Sequence, residues 1–253
     1  MTDPLVLVRQ EGRVRLLTLN RPAARNALDA AVRTELIQCL HEAENDAGVG
    51  ALVLTGAGSA FAAGADLREL LARTTAEQER FLQPPHVYST IEGLRKPVIA
   101  ALNGHALGAG LELATACDLR IASEKAKLGQ PEINLALIPG GGGTQRLVRL
   151  TGPAAATRLV MTGEAIEAAE ALRLGLVDAV VPPERVVEHA LAIAAQMASK
   201  DPKAIAAAKE ALRAARELPY REGLAKEIGL FVQLHARQES KELVRGFLEK
   251  PKA

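Results

Sequence analysis

His105–Leu147 reads HALGAGLELATACDLRIASEKAKLGQPEINLALIPGGGGTQRL and sets two acids beside unusually bare backbone. Glu112 follows the small residues Ala106, Gly108, Ala109 and Gly110; Glu132 follows Pro131; the run Gly140–Gly143 comes shortly after. An apolar strand pattern stops just upstream at Asn103–Gly104, and an apolar helical pattern starts near Leu111. A glycine-rich turn at a helix start leaves unpaired N–H groups pointing outward. The helix dipole adds partial positive charge there. Such a turn holds anions, a transient enolate oxygen among them, and Glu112 lies in the same first turn.

A second bare turn comes earlier. SAFAAGADLREL (Ser59–Leu70) follows the apolar run ALVLTG and opens a helical pattern at Asp66, which turns the Ala65 N–H toward the same cleft. Two backbone donors from two strand-to-helix turns make an oxyanion hole. Two acids near one activated carbonyl suit proton transfer beside it, one binding water and the other supplying or removing a proton. Each feature alone has a plainer reading: an acid in a first helical turn is usually a surface residue, and glycine after a strand is usually turn chemistry. Gly140–Gly143 lacks the Lys-Ser/Thr that closes a phosphate-binding loop. GAGSAFAAG lacks the third glycine of a dinucleotide turn. The five histidines are scattered without ligand spacing, so no metal is expected, and no G-x-S-x-G elbow is present.

The 253 residues fit one large domain, or a domain with an appendage. Apolar residues make up 48% and charged residues 24%, an ordinary globular balance. A net charge of +1 with no dense basic run argues against a nucleic-acid partner. No Trp, two Tyr and four Phe leave no stacking platform for single strands. MTDPLVLVRQEG shows no charged leader followed by an apolar block, and no stretch reaches the roughly 20 apolar residues of a membrane span. The expectation is a cytoplasmic chain with no membrane partner. Cys39 and Cys117 fall within apolar patterns and read as buried small hydrophobes.

VRLLTL (14–19), ALVLTG (51–56), PVIAALNG (97–104) and CDLRIAS (117–123) read as buried strands, with LVDAVV (176–181) as a further one. A helix over about 29–44 carries Val32, Leu36, Ile37 and Leu40 on one stripe, with Asn26 or Asp29 as its cap. A second helix is expected over roughly 77–94. Strand and helix in alternation predict right-handed crossovers and a mostly parallel α/β sheet. Beyond Thr144 the chain turns mostly helical, and Asp201 followed by Pro202 is a strong helix start. The alanine-rich tail suits subunit packing. Its cations Lys203, Lys209, Arg213 and Arg216 interleave with Glu210 and Glu217, which reads as a solvated face.

As an ordered set, LTLNRPAARNAL, FAAGADL, KPVIAALNGHALGAGLELATACDLRIAS, GQPEINLALIPGGGGTQRL, TGEAIEAAEALRLGLVDAVVP and GFLEKPKA resemble the enoyl-CoA hydratase/isomerase (crotonase) family over nearly the whole chain. Within it the chain looks most like bacterial enoyl-CoA and 2,3-dehydroadipyl-CoA hydratases of phenylacetate-type degradation. The resemblance implies a spiral of ββα units over residues 1–196 and a helical trimerisation region over 197–253, in the same functional unit, assembled as a dimer of trimers. It implies an acyl-CoA thioester substrate, whose coenzyme A is the only cofactor-like group. By motif position Ala65 and Ala109 are the oxyanion-hole donors, with alanine at 109 where the family often has glycine. Glu112 and Glu132 match the two acids of the hydratase subgroup, and having both favours hydration over the alternative of isomerisation. Some relatives bind RNA, which the charge pattern here disfavours. Ala63, Ala65, Asp66, Leu67, Arg68 and Gly140 match substrate and CoA contacts, Phe247 and Lys250 match positions that reach CoA in some members across a subunit boundary, and Arg25 either meets CoA phosphates or a distal carboxylate or is, equally well, a plain surface arginine. In the implied reaction Glu112 takes a proton from water and Glu132 delivers one to the α-carbon, roles the sequence leaves open to exchange.

Overall fold

The apolar runs form a sheet buried on both faces. In this computed structural model, which describes residues 3–249, the chain clusters into two units that divide between Ser199 and Lys200. The first unit starts with β1 (Val6–Glu11), β2 (Val14–Leu19) and α1 (Ala30–Asn45). Then β3 (Ala51–Gly56) and β4 (Ala60–Ala62) lead to α2 (Leu67–Ala72), α3 (Thr75–Leu82) and α4 (Val87–Gly93). β5 (Val98–Leu102) and β6 (His105–Leu107) lead to α5 (Ala109–Ala116). β7 (Leu119–Ser123) and β8 (Lys127–Gly129) lead to α6 (Gly143–Thr162), and β9 (Ala165–Glu167), α7 (Ala168–Arg173), β10 (Ala179–Val181) and α8 (Val186–Ala198) complete the unit.

A large sheet has the order β1-β2-β3-β5-β7-β10, parallel except for β1. Alternate residues of its strands point to opposite faces. Leu52, Leu54, Ala100 and Leu102 pack with Val32, Leu36 and Leu40 of α1. Val53, Ile99, Ala101 and Ile121 pack with Ala190 and Ala194 of α8. Burial on both faces is why these strands read as unbroken apolar runs. Cys39 and Cys117 are buried and neither is in a disulfide, as their apolar settings imply.

A small sheet, β4-β6-β8-β9, stands beside it. Each long strand β3, β5 and β7 is followed by a short one, β4, β6 and β8, and then by helix, which is the ββα spiral expected from the resemblance. The short strands escape a sequence reading because each spans only three residues, too few for a period to register. Two other expectations are corrected. The helix expected over 77–94 is two helices: Pro84 and Pro85 hold Gln83 in extended backbone and end α3, and α4 restarts with a box between His86 and Ser89. Asp29, not Asn26, caps α1, accepting from the Val32 N–H at 2.8 Å. Asn26 instead donates to the Ala57 and Ala60 carbonyls at 2.9 and 2.7 Å, tying the turn after β3 to the start of α1.

Two glycines of the bare stretch serve backbone contact. A Cβ on Gly104 would lie 2.0 Å from the Ser59 carbonyl oxygen, and one on Gly110 would lie 2.0 Å from that of Ala62. α5 therefore rests directly on the backbone of β4.

In the second unit, α9 (Pro202–Glu217), α10 (Tyr220–His235) and α11 (Gln238–Leu248) follow one another. Asp201 caps α9 on the Ala204 N–H at 2.8 Å and accepts a fork from Arg237 at 2.7 and 2.9 Å. Those Arg237 hydrogen bonds hold the Asp201 carboxyl down to about 2. Glu210 pairs with Lys226, and Glu217 lies 3.9 Å from Arg213. Ile228, Phe231, Val232, Leu243, Val244 and Phe247 are exposed.

Gly110→Ala is expected to lower stability by about 1–3 kcal/mol, the usual cost of overpacking, and to lower activity by displacing α5. Chemical denaturation read by circular dichroism checks the first, and unchanged stability would show that α5 moves freely on β4.

Candidate active site

The three turns singled out in the sequence leave neighbouring strands of the small sheet. β4, β6 and β8 lie side by side in parallel. The chain runs from β4 to Ala65, from β6 to Ala109 and from β8 to Glu132. Parallel strands emerge at one edge, so their following turns meet there. Between them is a cavity of about 470 Å³ lined by Ala63, Ala65, Asp66, Leu67, Ala109, Glu112, Glu132 and Gly140. Arg25 and Arg68 are exposed and are not among its lining residues, although the Arg25 carbonyl accepts from the Ala63 N–H at 3.0 Å. Phe247, on α11, is 76% exposed, and Lys250 lies outside the described residues.

Ala65 immediately precedes Asp66, whose side chain caps α2 by accepting from the Arg68 and Glu69 N–H groups at 3.1 and 3.4 Å. Ala109 is the first residue of α5, after Gly108 in the left-handed region at φ 49°. Among the described residues, neither the Ala65 nor the Ala109 N–H has a hydrogen-bond partner. For Ala109 this follows from its place at a helix start. Its side chain changes nothing about that donor.

Glu112 is 3% exposed. Its Oε1 accepts from the N–H groups of Gly141 and Gly143 at 2.7 and 2.9 Å. The Gly140–Gly143 run is thus a carboxylate cradle, and its bareness is necessary: a Cβ on Gly141 would stand 2.3 Å from the Tyr88 ring and 2.7 Å from Glu112 Oε2. Arg146 braces the cradle from behind. It donates to the Gly141 carbonyl at 2.6 Å and forks onto Glu92 at 2.8 and 3.1 Å.

Glu132 sits in a short 3-10 turn, Pro131–Leu135. Its carboxyl lies against the other turn, since a Cβ on Gly108 would stand 3.0 Å from its Oε1. The fully buried Gln130 sets one end of its amide 3.0 and 3.1 Å from the two Glu132 oxygens and 3.3 Å from the Gly108 carbonyl, three acceptors that call for its nitrogen at that end. A Cβ on Gly143 would meet both the Gln130 amide at 2.6 Å and Glu112 Oε1 at 3.1 Å. Gln130, which touches Glu132, thus stands beside the glycine whose amide holds Glu112.

Their electrostatics differ. Burial pushes the Glu112 carboxyl upward, and the Gly143 and Gly141 amides, with the charges of Arg146 and Arg33, act against that rise. Burial pushes Glu132 up to about 7, and the negative charge of Glu112 adds to the rise. A carboxylate fed by N–H donors favours its charged form, whereas a buried one with less compensation keeps its proton. The pair can hold one ionised and one protonated acid near neutrality, sharing a coupled titration.

Gln130, Arg146, Arg33 and Tyr88 went unnoticed in the sequence. The glycine run marked the cradle's backbone, but nothing in the chain order marks the side chains that brace it.

A sequence model of the family described as enoyl-CoA hydratase/isomerase matches residues 9–253. The chain is 44% identical over 245 residues to the 2,3-dehydroadipyl-CoA hydratase of Escherichia coli K12, covering 97% of this chain and 96% of that protein. It is 47% identical over 255 residues to a probable enoyl-CoA hydratase of Rhizobium meliloti, covering 100% and 98%. The crystal structure of an enoyl-CoA hydratase subunit from Geobacillus kaustophilus superposes with a TM-score of 0.93 at 39% identity, covering 99% of this chain and 98% of that one.

Because Glu132 binds its proton more tightly folded than unfolded, its contribution favours the folded state at low pH. That contribution declines as pH rises from about 4.5, the unfolded value, to about 7, and is flat above. Glu132→Gln is expected to remove this decline from a plot of unfolding free energy against pH. An identical slope in the two proteins would place the Glu132 titration elsewhere.

Proposed function

This chain belongs to the enoyl-CoA hydratase/isomerase family, and we propose that it adds water across the 2,3 double bond of a trans-2-enoyl-CoA to give the 3-hydroxyacyl-CoA. The observation that carries this reading is the meeting of Glu112 and Glu132 on one cavity with the unpartnered amides of Ala65 and Ala109. Isomerisation needs one acid to carry a proton between two carbons of the substrate. Two acids of unlike proton affinity suit the addition of water, which gives its oxygen to one carbon and a proton to the next.

The thioester oxygen accepts from the Ala65 and Ala109 N–H groups, and one water lies between the acids. Glu112, ionised against its cradle, takes a proton from that water as the oxygen bonds to the β-carbon. The π electrons shift toward the thioester oxygen, where the two amides stabilise the charge; one such donor is worth about 3–4 kcal/mol. Glu132, protonated, delivers its proton to the α-carbon. Glu112 is left protonated and Glu132 ionised, and one proton passing between them through water restores the start.

CoA runs along Ala63–Leu67 and Gly140 at the open side of the cavity, with Arg25 and Arg68 toward its phosphates. Coenzyme A is the substrate's own carrier, and water and the thioester are the only reactants the step needs. The exposed apolar residues of α10 and α11 supply the contact area for a trimer, two trimers make the hexamer, and Phe247 reaches CoA across that boundary. Among the described residues no helix is long and apolar enough to cross a membrane. The enzyme works in the cytoplasm, in fatty-acid or phenylacetate-type degradation.

Glu112→Gln and Glu132→Gln are each expected to lower turnover of crotonyl-CoA by about 10²–10⁴, and wild-type hydration should decline as pH rises through about 7, where Glu132 loses its proton. Loss of the conjugated absorbance reads both, and near-normal turnover by either variant would remove that residue from the mechanism. Ala109→Pro deletes the amide donor at a first helical position, where proline is tolerated, and should cost roughly 10²–10³ in kcat. Ala109→Gly keeps the donor and should stay near wild type; a folded Pro variant with full activity would make the amide irrelevant.

A further inference from the structure

The wall of the cavity includes a buried cation that forms no ion pair among the described residues. Arg33, on α1, is 8% exposed and lines the cavity. Its Nη1 donates to the Tyr88 hydroxyl at 2.8 Å and its Nε to the Leu28 carbonyl at 3.3 Å. The guanidinium lies over Phe81 and Tyr88, 5.0 and 5.3 Å from their ring centroids. Among the described residues its Nη2 has no acceptor, and no carboxylate forms an ion pair with it. Arg73, which also lines the cavity and lies 3.5 Å from the Phe81 centroid, is different: Glu69 is its counterion at 2.8 Å.

Neither acidic group nearby forms an ion pair with Arg33, although the arginine's charge acts on the Glu112 carboxyl. Burial pushes the Tyr88 phenol up to about 12, so it stays neutral. Glu112 has its Oε1 committed to Gly141 and Gly143. A guanidinium taken out of water is costly unless paired, and its planar fork matches a carboxylate.

The site's own polarity says which part of a ligand arrives there. The thioester oxygen is anchored at Ala65 and Ala109, and the bulky CoA must leave by the open side, where Leu67, Leu135 and Ile138 are 54%, 53% and 68% exposed. The acyl chain then enters the cavity whose walls include Leu70, Leu82, Phe81 and Arg33, the last two in contact. We infer that Arg33 is a specificity-determining residue that receives a carboxylate at the far end of the acyl chain, so that the preferred substrates are 2-enoyl-CoA esters of dicarboxylic acids. This rests on the hydratase reading above.

The test compares trans-2-hexenoyl-CoA with 2,3-dehydroadipyl-CoA, which share a carbon chain and differ in the terminal carboxylate. Wild type is expected to favour the charged substrate in kcat/KM, and Arg33→Met to reduce that preference by roughly 10², since a site built for a polar group rejects its absence strongly. Arg33→Lys, with the charge but not the fork, should fall between the two, and it decides the matter together with the wild-type preference if the Met variant does not fold. Wild-type preference for the uncharged chain overturns the inference. So does an equal loss on both substrates in Arg33→Met, which would make Arg33 a residue that merely tunes Glu112. Turnover of neither substrate by wild type sinks the hydratase reading itself, and Arg33's role with it.

Discussion

A carboxylate held out of water must be given hydrogen-bond donors, and Glu112 is where that constraint shapes this protein. Its Oε1 takes two main-chain N–H groups from Gly141 and Gly143. Amides can approach so closely only where no side chain intervenes, and Tyr88 already occupies the space a Cβ on Gly141 would need. The glycine run, the ring behind it and the Arg146–Glu92 fork that grips the Gly141 carbonyl are consequences of one buried acid.

The same economy of side chains operates across the cavity. Gly110 lets α5 lie on the β4 backbone, and that contact sets where the Ala109 amide points. Gly108 makes room for the Glu132 carboxyl beside the same turn. Bareness here has three separate physical causes: a left-handed turn, close packing of helix on strand, and the approach of a carboxyl group.

Two acids in one cavity become chemically useful when their surroundings differ. Burial raises both carboxyls, but at Glu112 two amides and nearby cations act against the rise, whereas at Glu132 a charged neighbour adds to it. A similar contrast separates the arginines of the cavity wall. Arg73 has an ion-pair partner within the fold, whereas Arg33 donates to a neutral phenol and a carbonyl.

The sequence by itself determined β2, β3, β5 and β7 of the large sheet, because apolar runs buried on both faces announce themselves, and the start of α9, because Asp201 and Pro202 are strong local signals; the edge strand β1, exposed along most of its length, carries no such run. It also determined which acids and which turns matter, since residue type and order survive in the chain. Only the tertiary structure decided that those turns meet. They are gathered by β4, β6 and β8, strands of three residues whose pairing is non-local and leaves no periodicity to read. The break at Pro84–Pro85, the brace from Arg146 and the place of Arg33 in the cavity wall likewise depend on what packs alongside. Charge and hydrogen-bonding capacity are properties of a residue, but whether a partner stands opposite is a property of the fold.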